Sequence, residues 1–185
     1  MPQWITSIDL NILLFIQEHI RAQWLTPIVV FITSLGNAGI FWIVLSCILL
    51  VPKKTRKLGC LGILALLGSL LINNLLLKNL VARTRPYDAF ASLMPLVAKP
   101  VDYSFPSGHT GSSFAAACAM CRGLPKWAGR ALLLLAALIG LSRLYVGVHY
   151  PSDVLAGMLT GMLSGFLAVP VGRMLETKLA AFRKR

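Results

Sequence analysis

The sequence predicts an all-α integral membrane protein: a bundle of about six transmembrane helices preceded by an N-terminal amphipathic helix. Three observations carry this prediction. Of 185 residues, 57% are hydrophobic and 13% are charged, where a soluble domain carries about 25% charged residues. The mean hydropathy is +0.75, and it is concentrated in apolar runs rather than spread along the chain. The connections between those runs are short and basic or proline-bearing, so residues 1–185 read as a single membrane domain.

Residues 5–20 place Ile5, Ile8, Ile12, Phe15, Ile16 and Ile20 at near-helical spacing, with Asp9, Gln17 and Glu18 between them. That pattern predicts an amphipathic helix lying in the membrane interface. The helical bundle is expected over residues 24–172. Its first two runs are Trp24–Leu35, closed by Gly36-Asn37, and Ile40–Val51, closed by Pro52 and a lysine cluster. Both are short for about 30 Å of hydrocarbon, so two tilted or flank-extended spans are expected there. Leu58–Leu77 is the clearest span. Phe105–Met120 is rich in Ala, Gly and Ser, which suits a helix packed closely by its neighbours. Leu132–Leu141 lies in the next span, which ends near Arg143–Tyr145, and Val154–Val171 is the last. The last span carries Gly157, Gly161 and Gly165 as a small-residue stripe for close helix contact.

The net charge of +12 is distributed in clusters: Lys53, Lys54, Arg56 and Lys57; Arg122, Lys126 and Arg130; and a basic tail over 173–185 with Arg173, Lys178, Arg183, Lys184 and Arg185. These positions follow the positive-inside rule for cytoplasmic loops. The basic residues have no extended soluble face with aromatic platforms, which excludes a nucleic-acid partner; anionic lipid headgroups suit the tail better. Cys47, Cys60, Cys118 and Cys121 form no disulfide framework and read as small buried hydrophobes. The N-terminus lacks the basic start and unbroken apolar core of a signal peptide. With the basic clusters inside, the Lys78–Pro106 loop and the Arg143–Asp153 turn share the opposite, outer face.

Three segments place costly groups beside the membrane: Lys78 to Arg85-Pro86, Tyr103 to Pro106-Ser107-Gly108-His109, and Ser142-Arg143 through His149 to Asp153. Ionisable residues at such places are candidates for function. Lys78, Arg85 and Arg143 supply three cations, and the arginine fork suits phosphate oxygens. With Pro106 opening a helix, the amides of Ser107 and Gly108 fall in its first turn, where they lack intrahelical partners and make an anion site. The Ser107 hydroxyl adds a donor. Pro151 opens another helix, so the Asp153 carboxylate can accept a hydrogen bond from one ring nitrogen of His149 and leave the other free to attack phosphorus. His109, on a different helix, can protonate the leaving oxygen and later activate water. Taken singly, Lys78 is a snorkelling lysine, Arg85 or Arg143 a headgroup anchor, and Asp153 a helix-start carboxylate. Taken together on one membrane face, they make a phosphate site with a nucleophile.

These segments resemble the signature of the type-2 phosphatidic acid phosphatase superfamily: Lys-x6-Arg-Pro, Pro-Ser-Gly-His and Ser-Arg-x5-His-x3-Asp, all complete and in order over residues 78–153. The resemblance implies a six-helix membrane phosphatase of the bacterial branch, acting on a membrane lipid phosphate or diphosphate with neither metal nor cofactor. It implies His149 as the nucleophile that becomes phosphohistidine, Asp153 as its partner and His109 as general acid. Lys78, Arg85, Ser107, Gly108 and Arg143 are implied as phosphate ligands. The expected substrate is undecaprenyl diphosphate presented at the outer face of the cell membrane, with phosphatidic acid or phosphatidylglycerol phosphate as the alternative. Arg83, Asp88 and Lys99, in the same loop, are expected to tune headgroup preference. A lipid transporter, the rival from another class, calls for polar groups near mid-membrane and paired broken helices, whereas these groups gather at one face.

Overall fold

The structure, a computed structural model, describes residues 2–182; Arg183, Lys184 and Arg185 of the expected basic tail lie outside the described residues. Helices follow one another as α1 (Gln3–Phe15), α2 (Thr26–Ser34), α3 (Ile40–Leu50), α4 (Arg56–Ser69), α5 (Lys78–Val81), α6 (Pro86–Ala89), α7 (Gly108–Met120), α8 (Lys126–Tyr145) and α9 (Pro151–Phe182). Wider, π-helical turns extend α1 over Ile16–Ile20 and join α4 to α5 over Leu70–Leu77. No strand occurs among the described residues.

Three stretches are long and apolar enough to cross a membrane, Arg56–Ala89, Lys126–Tyr145 and Pro151–Lys178, and a bent pair, Thr26–Ser34 with Asn37–Leu50, makes a fourth if it is one span. By length and composition, three or four spans stand out among the described residues, and the expected count of about six is not confirmed. The two short runs expected as separate spans, 24–35 and 40–51, do not reverse direction between them: they bend by 45°. The bend arises where Ala38 and Gly39 take left-handed backbone angles (φ 49° and 67°), which ends one helix and restarts another. Leu25, just before α2, and Val29 and Val30 of α2 pack against the cluster of Tyr145, Val146 and Val148, while Ile32 and Leu35 pack against the cluster that holds Ala136 and Ile139 of α8. α3 continues in that direction to meet the start of α4.

α7 is also too short to cross alone, since 13 residues rise about 20 Å. It does not face lipid. α4, α8 and α9 pack around it, and Ala115, Ala116, Ala117 and Met120 are fully buried. A helix enclosed by protein needs small side chains more than strong hydrophobicity, which is why its sequence is weakly apolar.

The glycine stripe of α9 lies against α7. A Cβ on Gly157 would stand 2.6 Å from the Ser107 carbonyl oxygen, one on Gly161 2.4 Å from that of Gly111, and one on Gly165 2.7 Å from that of Ala115. Backbone meets backbone along three turns, so the start of α7 and the start of α9 are held in fixed register. Gly161→Val is expected to force the two helices apart and lower stability by about 1–3 kcal/mol. Thermal unfolding in detergent reads this directly, and an unchanged midpoint would contradict the packing.

The two ends of the bundle differ in charge. Gly123 packs on Leu58 and Lys57 pairs with Glu176 at 2.9 Å, so the described parts of the three basic clusters gather at one end. The opposite end carries the loop after α5 and the turn between α8 and α9. α1 lies over that end. Trp4, Ile8 and Phe15 point outward, while Asp9 and Leu13 are buried against the loops. The amphipathic helix thus turns its acid inward and leaves an apolar face uncovered.

Candidate active site

The π-helical turns ahead of Lys78 change the phase of the helix that bears it, and Asn73 is buried while Asn74 and Lys78 reach a cavity. Such widened turns recur at functional sites. Ala82 then takes a left-handed conformation (φ 45°) that ends the helix and redirects the chain to Arg83 and Arg85. Arg85 is 4% exposed. Its Nε and Nη1 donate to the carbonyls of Asp102 and Val148 at 2.8 and 2.7 Å, which fixes the guanidinium plane. Its Nη2 donates to the Asp102 carboxylate at 2.6 Å, and Lys78 Nζ pairs with the other oxygen of the same carboxylate. Asp102 therefore bridges two of the three predicted phosphate cations. Burial alone would raise its pKa, but the hydrogen bonds and charges of Lys78 and Arg85 hold it down to about 2.

Arg143 reaches the same cavity from the end of α8. It donates from Nη1 to Thr33 Oγ1 at 2.7 Å, and its buried Nε has no hydrogen-bond partner. A buried donor left free costs stability unless something else accepts from it. An anion in the cavity is the natural acceptor.

The start of α7 differs in one respect from the sequence expectation. Ser107, not Pro106, is the N-cap, and its side chain accepts from the amide and hydroxyl of Thr110 at 3.4 and 2.9 Å. Its own amide donates to the Asp153 carbonyl at 3.0 Å and so is not free for an anion. The free first-turn amides are those of Gly108 and His109. Ser107 ties α7 to α9.

His149 is 1% exposed. Its Nε2 faces Arg85 Nη1 at 3.4 Å, and its Nδ1 lies 3.5 Å from Asp153 Oδ2. That second separation is at the limit of a hydrogen bond, and Nδ1 makes none in this geometry; such contacts commonly tighten when substrate binds. Burial, and the neighbouring Arg85 and Arg143 charges, outweigh the attraction of Asp153 and lower the His149 pKa to about 4 from its ordinary 6.5. Between those two values the unfolded chain binds a proton that the folded one does not, so stability falls as pH drops through that window. Near neutral pH the imidazole is uncharged, as a nucleophile requires.

His109 presents Nε2 to Asn37 Oδ1 at 2.9 Å. Its ring passes Gly36 so closely that a Cβ there would stand 2.7 Å from it. The loop at the α2–α3 bend thereby positions this histidine.

These groups converge on one cavity of about 630 Å³. Lys78, Arg85, Gly108, His109, Arg143 and His149 line it, while Ser107 and Asp153 stand behind them. Away from these groups its wall is mostly apolar, with Ile43 of α3 and Ile63, Leu66, Leu67 and Leu70 of α4 and the turns after it, and with Ser69, Asn74 and Ser112 among them. A site with cations and two histidines at one end and an aliphatic groove at the other fits an amphiphile with a phosphate head. Among the described residues, no three His, Cys, Asp or Glu side chains stand where they would hold a metal ion together.

The sequence reading missed four groups that shape this site: Asp102, Thr33, Asn37 and Ser104, the last donating to Asp153 Oδ2 at 2.5 Å. It also misplaced Arg83, which turns away from the cavity and donates to Asp153 Oδ1 at 2.7 Å. Of the other two loop residues, Asp88 is exposed and Lys99 lies over the Tyr87 ring.

Comparison with known proteins places this geometry. A family model described as the PAP2 superfamily matches residues 58–176. An undecaprenyl-diphosphatase of Sulfolobus acidocaldarius is 32% identical, covering 89% of this chain and 80% of that protein. Phosphatidylglycerophosphatase B of Bacillus subtilis is likewise 32% identical, over 90% of this chain and 82% of its own length. The crystal structure of a transmembrane PAP2-type phosphatidylglycerolphosphate phosphatase from Bacillus subtilis superposes with a TM-score of 0.78 at 29% identity, covering 94% of this chain and 88% of that one. The matched stretch holds all three ionisable segments, the bundle around them has the same shape, and the chain belongs to the PAP2 superfamily.

Proposed function

We propose that this membrane phosphatase hydrolyses a lipid diphosphate through a phosphohistidine on His149, with undecaprenyl diphosphate as the substrate. One observation carries the reading: His149 lines the same cavity as Lys78, Arg85, Arg143 and His109, with Nε2 turned to Arg85 and Nδ1 toward Asp153. The three cations hold the non-bridging oxygens of the terminal phosphate, joined by the free amides of Gly108 and His109. His149 Nε2 attacks the terminal phosphorus as the bond to the bridging oxygen breaks. His109 gives that oxygen its proton, and the lipid monophosphate leaves. Water then attacks the phosphorus of the phosphohistidine, His109 takes the water's proton, and the P–N bond breaks to release inorganic phosphate and restore His149. Asp153 holds the imidazole and stabilises the positive charge it develops. Positioning and charge neutralisation are the main demands of phosphoryl transfer.

The lipid tail occupies the apolar groove between α3 and α4, which opens from the polar end of the cavity. The site faces the outer side of the cell membrane, because the basic connections gather at the other end of the bundle. Phosphatidylglycerol phosphate is the second reading, supported by the similarity to the Bacillus subtilis enzymes.

The test is phosphate release by purified protein in detergent with excess chelator, offered undecaprenyl diphosphate, phosphatidic acid and phosphatidylglycerol phosphate across a pH series. The diphosphate is expected to give the highest kcat/KM. The acid limb of its pH profile is expected near pH 4, where His149 gains its proton, well below the ordinary histidine value. A preference for either other lipid would reassign the substrate. Activity that needs added metal would contradict the mechanism.

A further inference from the structure

Arg83 stands two residues before Arg85 and has the same chemistry, yet its side chain is 7% exposed and lies outside the cavity. Both of its terminal nitrogens are engaged elsewhere. Nη1 donates to Asp153 Oδ1 and to Ser152 Oγ, both at 2.7 Å, and Nη2 donates to Asp9 Oδ2 at 2.7 Å. The plane stacks on the Tyr150 ring, 3.7 Å from its centre. Asp9, on α1, completes the clamp: it accepts from the Ser152 amide at 3.0 Å and from the Ser152 hydroxyl. Two residues from separate segments thus hold the turn of α9 that bears Asp153.

We infer that Arg83, braced by Asp9, is a positioning residue that aims Asp153 at His149 and balances the charge behind the nucleophile. The inference rests on His149 being that nucleophile. The division of bonds on Asp153 supports it. Oδ1 is taken by Arg83, which leaves Oδ2, held by Ser104 Oγ and the Tyr150 amide, facing His149 Nδ1. A buried ion pair that served only the fold would have no reason to bind the one carboxylate that faces the histidine. The charges around His149 are then Asp153, Asp9 and Arg83 on one side. Arg85, Arg143, Lys78, Asp102 and His109 lie on the cavity side.

Charge substitutions here act in opposite directions. Asp9→Asn leaves the Arg83 charge to Asp153 alone, so Asp153 draws less on His149. The histidine then loses its proton more readily, and the acid limb of kcat/KM moves down. Arg83→Gln leaves two buried carboxylates behind the histidine, and the limb moves up. Each shift is expected at about one pH unit. Loss of an orienting outer partner lowers kcat by about 10- to 100-fold, while KM stays near wild type because no phosphate ligand is touched. Arg83→Lys keeps the charge without the planar fork, so kcat falls and the limb stays in place. The double variant Asp9→Asn/Arg83→Gln removes one charge of each sign, and its limb is expected back at the wild-type position.

The experiment is the pH dependence of phosphate release by the full chain in detergent for wild type, these four variants and His149→Ala, with thermal unfolding of each. Opposed limb shifts that cancel in the double variant support the inference. Wild-type limbs and kcat in Asp9→Asn and Arg83→Lys, or shifts in the same direction, overturn it while leaving the proposed nucleophile intact. Should Arg83→Gln fail to fold, Asp9→Asn decides alone, because Arg83 keeps its bond to Asp153. Activity that survives in His149→Ala overturns both readings.

Discussion

His149→Ala is expected to lower phosphate release by about ten-thousand-fold or more, at every pH and on every lipid offered. The size follows from the role. Among the described residues one other imidazole lines the cavity, that of His109, which stands on α7 beside Asn37. The side chain is 1% exposed and spans from Asp153 to the cavity, so its removal leaves the three cations in place with nothing to attack the phosphate they hold. Binding is therefore expected to survive. Product phosphate should protect the variant from thermal unfolding about as well as the wild type. A residual rate within ten-fold of wild type would remove His149 from the chemistry.

The second large effect belongs to His109. His109→Ala is expected to slow turnover by about 10²- to 10⁴-fold, and the two half-reactions separate in this variant. Expulsion of a poor leaving group, such as the alkoxide of a monoester lipid like phosphatidic acid, needs the proton that His109 supplies. A nitrophenyl phosphate carries its own good leaving group and should still phosphorylate His149. Hydrolysis of the P–N bond then lacks its base, so phosphoenzyme accumulates. The expected record is a burst of nitrophenol near one equivalent followed by a slow steady rate. Equal loss on both substrates, with no burst, would assign His109 to binding.

Much of this site is legible in the sequence because a membrane makes ionisable groups expensive. Lys78, Arg85, His109, Arg143, His149 and Asp153 stand out against apolar runs, and counting the spans between them puts the two loops on one face. The Arg83–Ser152 and Ser107–Asp153 contacts realise that meeting. The count of spans itself reads less well. Gly36-Asn37 looks like a reversal between two short helices, but the left-handed pair two residues on, Ala38 and Gly39, produces a bend. Backbone sign at an alanine has no compositional signature.

The residues that support the site are harder to see. Arg83 and Arg85 are the same residue type in the same loop; the Arg-Pro segment marks Arg85, but only the fold shows that Arg83 turns to Asp153 and away from the cavity. Asp102 appears as one acid in a polar loop, because Lys78 and Arg85 lie 24 and 17 positions away. Asp9 sits in a pattern that reads as a membrane-surface helix, where acids belong on the wet side. Its burial follows from a partner 74 positions away. Ser107 shows the reverse case. Its motif marks it for the phosphate, yet its amide is spent on the Asp153 carbonyl and its hydroxyl on the helix cap. Local patterns report which groups are costly, and long-range pairing determines which way each one points.

The most direct test of the account is to locate the phosphoryl group on the protein. His109→Ala is mixed with radiolabelled substrate, quenched at alkaline pH, where phosphohistidine persists, digested and sequenced by mass spectrometry. The account predicts one equivalent of acid-labile, alkali-stable label on the peptide carrying His149, and none after His149→Ala is added to the same variant. Label on any other residue, or full turnover with no labelled protein at any time, would contradict it.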